Sequence, residues 1–411
     1  MQPTASEGRG PASFGPPAPA PGLPVLPELA ERLFRCATGA GPEPVGGSRD
    51  LLEAACGYWS RRGLETDTYH VAAGPGAQPL LLALLAAIGG DVLLTRPCAA
   101  WYAAPAVLLG RPAYHAPTPA ECGGVPDPFA LLETVRRVRA EGGDPRVLLL
   151  SVADDPCGTV PPPEVLHEVC EAALGEGMLI VSDETYRDTL HEPGTVLFSP
   201  AEMHPNDVVV LTDLGAAHVP PGWPAAVVRF PNTWRGGELH AATLDIMAGL
   251  RTVLAGPVAA AVAHALTEPQ PVAARTAAAA RLHGTLAAAV HRTVTAAGAL
   301  CRPPQAGSHV YVDLDPLRHA LEARGISDSV DLENHLSERL GEPVPGGHRF
   351  GDGPDALRAR LSTGPLLGGS DSERLRTLTA EDPLLLQHVD RALALLRDTL
   401  VELDDDQRAD A

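Results

Sequence analysis

From His70 onward, apolar residues arrive in short runs, and longer stretches of helical periodicity separate one run from the next. Short strands are expected up to Gly74 and at Asp91–Thr95, Val147–Val152, Met178–Ser182, Val208–Leu211 and Ala225–Phe230. Helices are expected between several of them, at Pro79–Ile88, Pro128–Ala140 and Pro163–Leu174. Strands that are apolar at successive positions, alternating with helices, predict a mostly parallel sheet buried on both faces.

The flanks read differently. Helices are predicted at Pro27–Cys36 and Arg49–Arg62, around a loop of Gly and Pro. Beyond the sheet, Leu239–Leu266 reads as one helix and Pro271–Ala297 as an Ala-rich one. A strand at His309–Leu314, a helix at Leu332–Leu340, a strand carrying Arg358 and Arg360, and a last helix at Pro383–Leu403 suggest a smaller α+β domain. The expected division is a disordered Pro/Gly/Ala-rich tail over 1–24 and an N-terminal segment over 25–65 contributing to the small domain. A large α/β domain over 66–265, a C-terminal small domain over 266–403 and a polar tail over 404–411 complete it.

Composition narrows the class. With 411 residues and 45% hydrophobic content, the chain can build one large core and a lesser one. A formal charge of −20 argues against nucleic acid or an anionic membrane as a general partner. No apolar run approaches membrane-spanning length and no basic-then-apolar leader opens the chain, so a cytoplasmic protein is expected. Seven scattered cysteines without a CxxC pair predict neither a zinc site nor a disulfide framework. Arginine supplies all 31 basic residues, so lysine is absent throughout. An Ala-, Gly-, Pro- and Arg-rich composition suggests a GC-rich genome, in which codon bias accounts for missing surface lysines. It does not account for a missing catalytic one.

Several motifs occur in a telling order. Gly47-Ser48-Arg49-Asp50-Leu51-Leu52-Glu53-Ala54 opens a helix, and Gly76-Ala77-Gln78 forms a turn before another. Asp155-Pro156-Cys157-Gly158-Thr159 follows a strand, and Ser182-Asp183-Glu184-Thr185-Tyr186-Arg187 ends one. Pro345-Gly346-Gly347-His348-Arg349-Phe350-Gly351 precedes Leu357-Arg358-Ala359-Arg360-Leu361-Ser362. Over roughly 42–400 this order resembles the class I/II aminotransferases of the fold-type I pyridoxal-phosphate superfamily. The resemblance implies a mostly parallel large-domain sheet between helices and a smaller α+β C-terminal domain. It implies a cofactor site at Gly76, Ala77, Asp155, Asp183 and Tyr186, with Arg360 holding a substrate carboxylate.

The departures fall on the chemistry. The family's lysine motif aligns without gaps to residues 213–226, which places Ala216 at the lysine position. That lysine forms the aldimine and moves the substrate proton. The serines and arginine that would hold the cofactor phosphate become Asp213, Gly215 and Pro224. Asp213 puts a carboxylate where a phosphate dianion would sit, and two unit charges 4 Å apart repel by about 4 kcal/mol at an effective dielectric near 20. The stacking aromatic aligns with Ala99, with Trp101 or Tyr102 as possible substitutes, and the family's asparagine becomes Asp155.

Each remaining residue carries a plainer alternative. Asp183 can serve local backbone, Tyr186 can simply pack, and Arg360 can form an outward salt bridge. His218, two residues past the lysine position, is either a loop residue or a weak candidate base, as histidine is in some sugar dehydratases of the superfamily. No metal spacing lies on one segment, so no metal centre is expected. The resulting expectation is a catalytically silent or repurposed binder of an amino-acid-like or amine ligand, or a partner of a related enzyme, as homodimer or heterodimer. The alternative is an enzyme of amino-acid or specialised metabolism using non-covalent pyridoxal or pyridoxamine phosphate, or no cofactor. A conventional transaminase would need a lysine from another chain.

Overall fold

A computed structural model describes residues 22–38 and 43–409. The large sheet contains β1 (Val71–Gly74), β2 (Asp91–Arg96), β3 (Ala113–Pro117), β4 (Pro145–Ser151), β5 (Leu179–Asp183), β6 (Val208–Asp213) and β7 (Ala226–Arg229). Their spatial order is β1-β7-β6-β5-β4-β2-β3. Strands β2 to β6 pair in parallel, and β7 runs antiparallel to both β1 and β6.

Successive strand residues point to opposite faces, and both faces are buried. Leu148, Leu150, Ile180, Val208 and Val210 join the cluster beneath helices Pro128–Ala140 and Pro163–Gly175. Leu149, Val181, Val209 and Leu211 pack on the opposite side with Leu80, Leu81 and Leu84 of helix Ala77–Ile88. Each such side chain contributes about 1.5–3 kcal/mol by leaving water, which fixes the strands and the loops at their ends. The small sheet, order β10-β9-β8, is antiparallel and joins β8 (Leu300–Cys301), β9 (His309–Asp313) and β10 (Arg358–Ser362). Its core includes Val310, Val312, Ala359 and Leu361 with Leu286 and Val290 of helix Gln270–Ala296.

Several expectations are corrected. Segment 25–65 sits with the large domain rather than the small one: Leu29, Leu51, Ala55, Tyr58, Trp59 and Leu64 share a core with β1 and β4. The reason is the Ala-rich helix Gly256–Leu266, which offers a flat apolar face to helices Pro27–Cys36 and Arg49–Ser60. The single helix expected over Leu239–Leu266 is two, Trp234–Leu250 and Gly256–Leu266. Arg251 turns left-handed at φ 52°, and Pro257 lacks the N–H needed to continue a helix. Residues 404–409 extend the helix Gln387–Ala409 rather than forming a tail. The tail expected over 1–24 lies outside the described residues up to position 21. Gly22, Leu23 and Pro24 are placed, and they wall the main cavity.

Candidate functional site

Strands β4, β5 and β6 are neighbours and parallel, so the loops leaving their carboxyl ends meet at one edge. Each loop delivers an aspartate there: Asp155 beyond β4, Asp183 closing β5 and Asp213 closing β6. The three border a cavity of about 920 Å³ between the two domains. Gly76, Ala77, Trp101, Tyr186, Gly215, Ala216, His218, Pro224 and Arg360 also line it, whereas Ala99, Tyr102 and Arg358 do not.

Asp213 faces the amino end of helix Ala77–Ile88. Its Oδ2 accepts from the Ala77 N–H at 3.0 Å and its Oδ1 from the Gly215 N–H at 2.9 Å. Gly76 permits this approach with a φ of 106°, a conformation that side chains disfavour. The partial positive charge of a helix start favours an anion, and here the chain supplies its own. Burial raises the Asp213 carboxyl above its ordinary range, while the two N–H donors pull it back. The Asp213 N–H in turn donates to Thr185 Oγ1 at 3.0 Å.

Asp183 is also engaged from within. The Tyr102 hydroxyl donates to Asp183 Oδ2 at 2.7 Å, and the Thr185 N–H donates to Oδ1 at 2.9 Å. Burial raises this carboxyl to about 6 despite both donors. Tyr102 is fully buried, so it serves Asp183 rather than offering a stacking face, whereas Trp101 lines the cavity. Tyr186 meets His309 edge-on with ring centroids 6.0 Å apart, and burial raises its hydroxyl.

Arg360 reaches across from β10 and donates to Asp155 Oδ1 at 2.7 Å. Both side chains are about a tenth exposed, 11% and 8%, and the guanidinium lies 4.8 Å over the Phe350 ring. Arg358, two residues earlier on the same face of β10, binds Asp313 and Asp352 instead. The substrate-type arginine therefore already holds a carboxylate.

His218 is buried on the cavity wall, with Nε2 3.6 Å from Asp188 and 4.0 Å from Glu268. Those carboxylates are shared with Arg62, which bonds Asp188 at 2.7 Å and Glu268 at 2.6 Å, and the Tyr58 hydroxyl donates to Asp188 at 2.6 Å. These charges hold the Asp188 carboxyl low in spite of its burial. Sequence reading singled out His218 but missed its partners, because Tyr58, Arg62, Asp188 and Glu268 lie up to 210 residues apart and none was part of the site motifs. It also missed Thr185, although that residue stands inside the Ser182–Arg187 motif.

The set does not suit a phosphoryl group. A phosphate at the amino end of helix Ala77–Ile88 would displace or oppose the Asp213 carboxylate, with Gly215 and Pro224 offering no side-chain donor. Nor does any lysine in the 411 residues offer an amine to a cofactor aldehyde.

The aminotransferase class I and II profile matches residues 28–344. The chain belongs to that family. Among curated members, a probable aspartate/prephenate aminotransferase of Thermus aquaticus is 30% identical over 217 residues, 49% of this chain and 55% of that one. The aspartate/prephenate aminotransferase of Thermus thermophilus is 28% identical over 204 residues, 48% and 51% of the two chains. The chain thus spans about half the length of the curated relatives it matches. Among solved structures, Thermus thermophilus aspartate aminotransferase with maleate superposes with a TM-score of 0.74 at 22% identity, over 94% of this chain and 90% of that one. An aromatic aminotransferase of Pyrococcus horikoshii gives 0.74 at 17% identity, over 94% of each. The aminotransferase fold, with its mostly parallel seven-stranded sheet and small antiparallel sheet, is therefore shared throughout.

Proposed function

We propose that this family member binds a small amino-acid-like or amine ligand without a covalently attached cofactor. What carries the reading is Asp213, whose carboxylate takes the Ala77 N–H at the helix start and the Gly215 N–H of its own loop, where a phosphate would need donors. Asp183 and Asp213 give the floor of the cavity a negative bias suited to an ammonium group, and Arg360 beside them can exchange Asp155 for a ligand carboxylate. The aspartate aminotransferase of Thermus thermophilus has been crystallised with maleate, a dicarboxylate, and ligands of comparable size fit a cavity of about 920 Å³.

The test combines absorbance with calorimetry. Purified protein is expected to be colourless, to leave added pyridoxal phosphate unchanged and to yield no borohydride-trapped adduct. Amino acids and amines screened by titration should give heats that shrink in Arg360→Ala. Equal heats in both proteins, or none with any ligand, would end the reading. Native mass measurement separates a homodimer from a heterodimer with a co-purified aminotransferase.

A second reading rests on Asp183 and Tyr186, which still border the cavity where the family contacts its cofactor ring. It makes the chain an enzyme of amino-acid metabolism holding pyridoxal or pyridoxamine phosphate non-covalently, or none. His218, backed by Asp188 and Glu268, is its candidate base. A visible band lost on dialysis, and turnover abolished in His218→Ala, would favour this reading over the first.

A further inference from the structure

Outside the residues that line the cavity, the fold gathers a second set of side chains. His167 and Glu171 stand one turn apart on helix Pro163–Gly175, so they share a face. His204 follows the one-turn helix Pro200–Met203, which packs against that helix. The His167 and His204 rings lie 5.6 Å apart between centroids with planes within 5° of parallel. His204 Nε2 is 3.5 Å from Glu171 Oε1, and one ligand atom from each of the three residues lies within 4.8 Å of the others.

We propose that His167, Glu171 and His204 form a binding site for a divalent transition-metal ion of the zinc class. Two imidazoles and one carboxylate are a donor set that such ions prefer and that magnesium or calcium does not. Metal–donor bonds of 2.0–2.1 Å place tetrahedral ligand atoms about 3.4 Å apart. The His204–Glu171 separation already meets that spacing, and the exposed His167 closes the remainder by a change of rotamer.

Two observations separate this set from a chance patch. His204 Nε2 is buried and makes no hydrogen bond, an uncommon state for a buried nitrogen and one that a metal bond relieves. Its backbone is fixed before any ion arrives. A capping box of Ser199 and Glu202 starts the short helix, Ser199 Oγ is bonded to buried Glu184, and the His204 N–H donates to Pro200 at 2.8 Å. Asp188, His218 and Glu268 also bring two carboxylates and an imidazole together, but Arg62 already sits between those carboxylates. Around His167, Glu171 and His204 no guanidinium contact is found among the described residues. The ion would leave positions open to water, as a three-ligand site does, and would pin the helix before β5 to the turn before β6.

The full chain, without a histidine tag, is to be titrated with Zn²⁺ and, as a control, Mg²⁺. One equivalent of Zn²⁺ should bind, with no heat from Mg²⁺. Affinity should fall by about 10–100-fold or more in His204→Ala and in His167→Ala, since loss even of outer-shell partners costs that much. It should persist in His319→Ala, a substitution of an exposed histidine in the other domain. Zn²⁺ should raise the thermal midpoint of the wild type and leave that of His204→Ala unmoved. If His204→Ala fails to fold, exposed His167→Ala carries the test alone. Unchanged binding in His167→Ala, equal weakening in His319→Ala, or no binding by the wild type overturns the proposal.

Discussion

Two parts of the cavity wall are occupied by the chain's own groups in different ways. At the helix end, side-chain donors are gone and Asp213 occupies the amino terminus of helix Ala77–Ile88. Elsewhere on the wall, Asp183 and Arg360 take partners from the chain itself, Tyr102 and Asp155. On the proposed function, the first arrangement sets a carboxylate against any incoming anion. The second leaves groups a ligand could engage, Arg360 by giving up Asp155 and Asp183 by giving up Tyr102 while keeping the Thr185 N–H. Binding of cations or zwitterions is thus easier to recover than binding of phosphate.

The sharpest break of that contrast is Arg360→Ala. It strands the Asp155 carboxylate in a mostly buried setting, and removal of one partner from a buried pair costs about 3–5 kcal/mol. Urea denaturation should show a loss near the lower figure, because some exposure remains. Next comes Asp213→Ala, which strips the cap from two N–H groups and should cost about 1–2 kcal/mol. Inorganic phosphate should then raise the melting midpoint of the variant and leave that of the wild type unmoved. A phosphate response in the wild type would erase the distinction between the two parts of the wall.

Tyr102→Phe should cost about 1 kcal/mol, the worth of one hydrogen bond whose remaining partner keeps a second donor. A separate effect is in pH dependence. The Asp183 carboxyl is raised by burial to about 6 in the folded chain, against about 3.9 unfolded. Its favourable contribution is complete below the unfolded value and is lost as pH rises through 6. Wild type should therefore lose stability relative to Asp183→Asn between pH 4 and about 6, with a flat difference above. A constant difference across that range would show that the carboxyl is not so perturbed.

The large sheet was legible because its strands are continuous apolar runs and its helices end at Gly and Pro. Edge strand β3, with the sequence Ala-Tyr-His-Ala-Pro, escaped notice because its burial is partial and its pattern is not apolar. The site residues were found through motifs at strand ends, and their shared cavity follows from parallel topology. Their partners were not legible. Nothing local in Tyr102 indicates a bond to Asp183, 81 residues on, or ties Asp155 to Arg360 across 205. Such pairings are set when strands acquire neighbours, so they belong to the tertiary fold.

On the proposed function, one of those pairings governs entry. Asp155 stands on the larger lobe and Arg360 on the smaller, so their bond is a clasp between lobes as well as a filled receptor. A newcomer that seeks the guanidinium must unfasten it, and the released aspartate then wants a positive group or water. Admission is therefore an exchange: a zwitterion can answer both halves of the clasp at once, whereas a simple acid answers one and leaves the other bare.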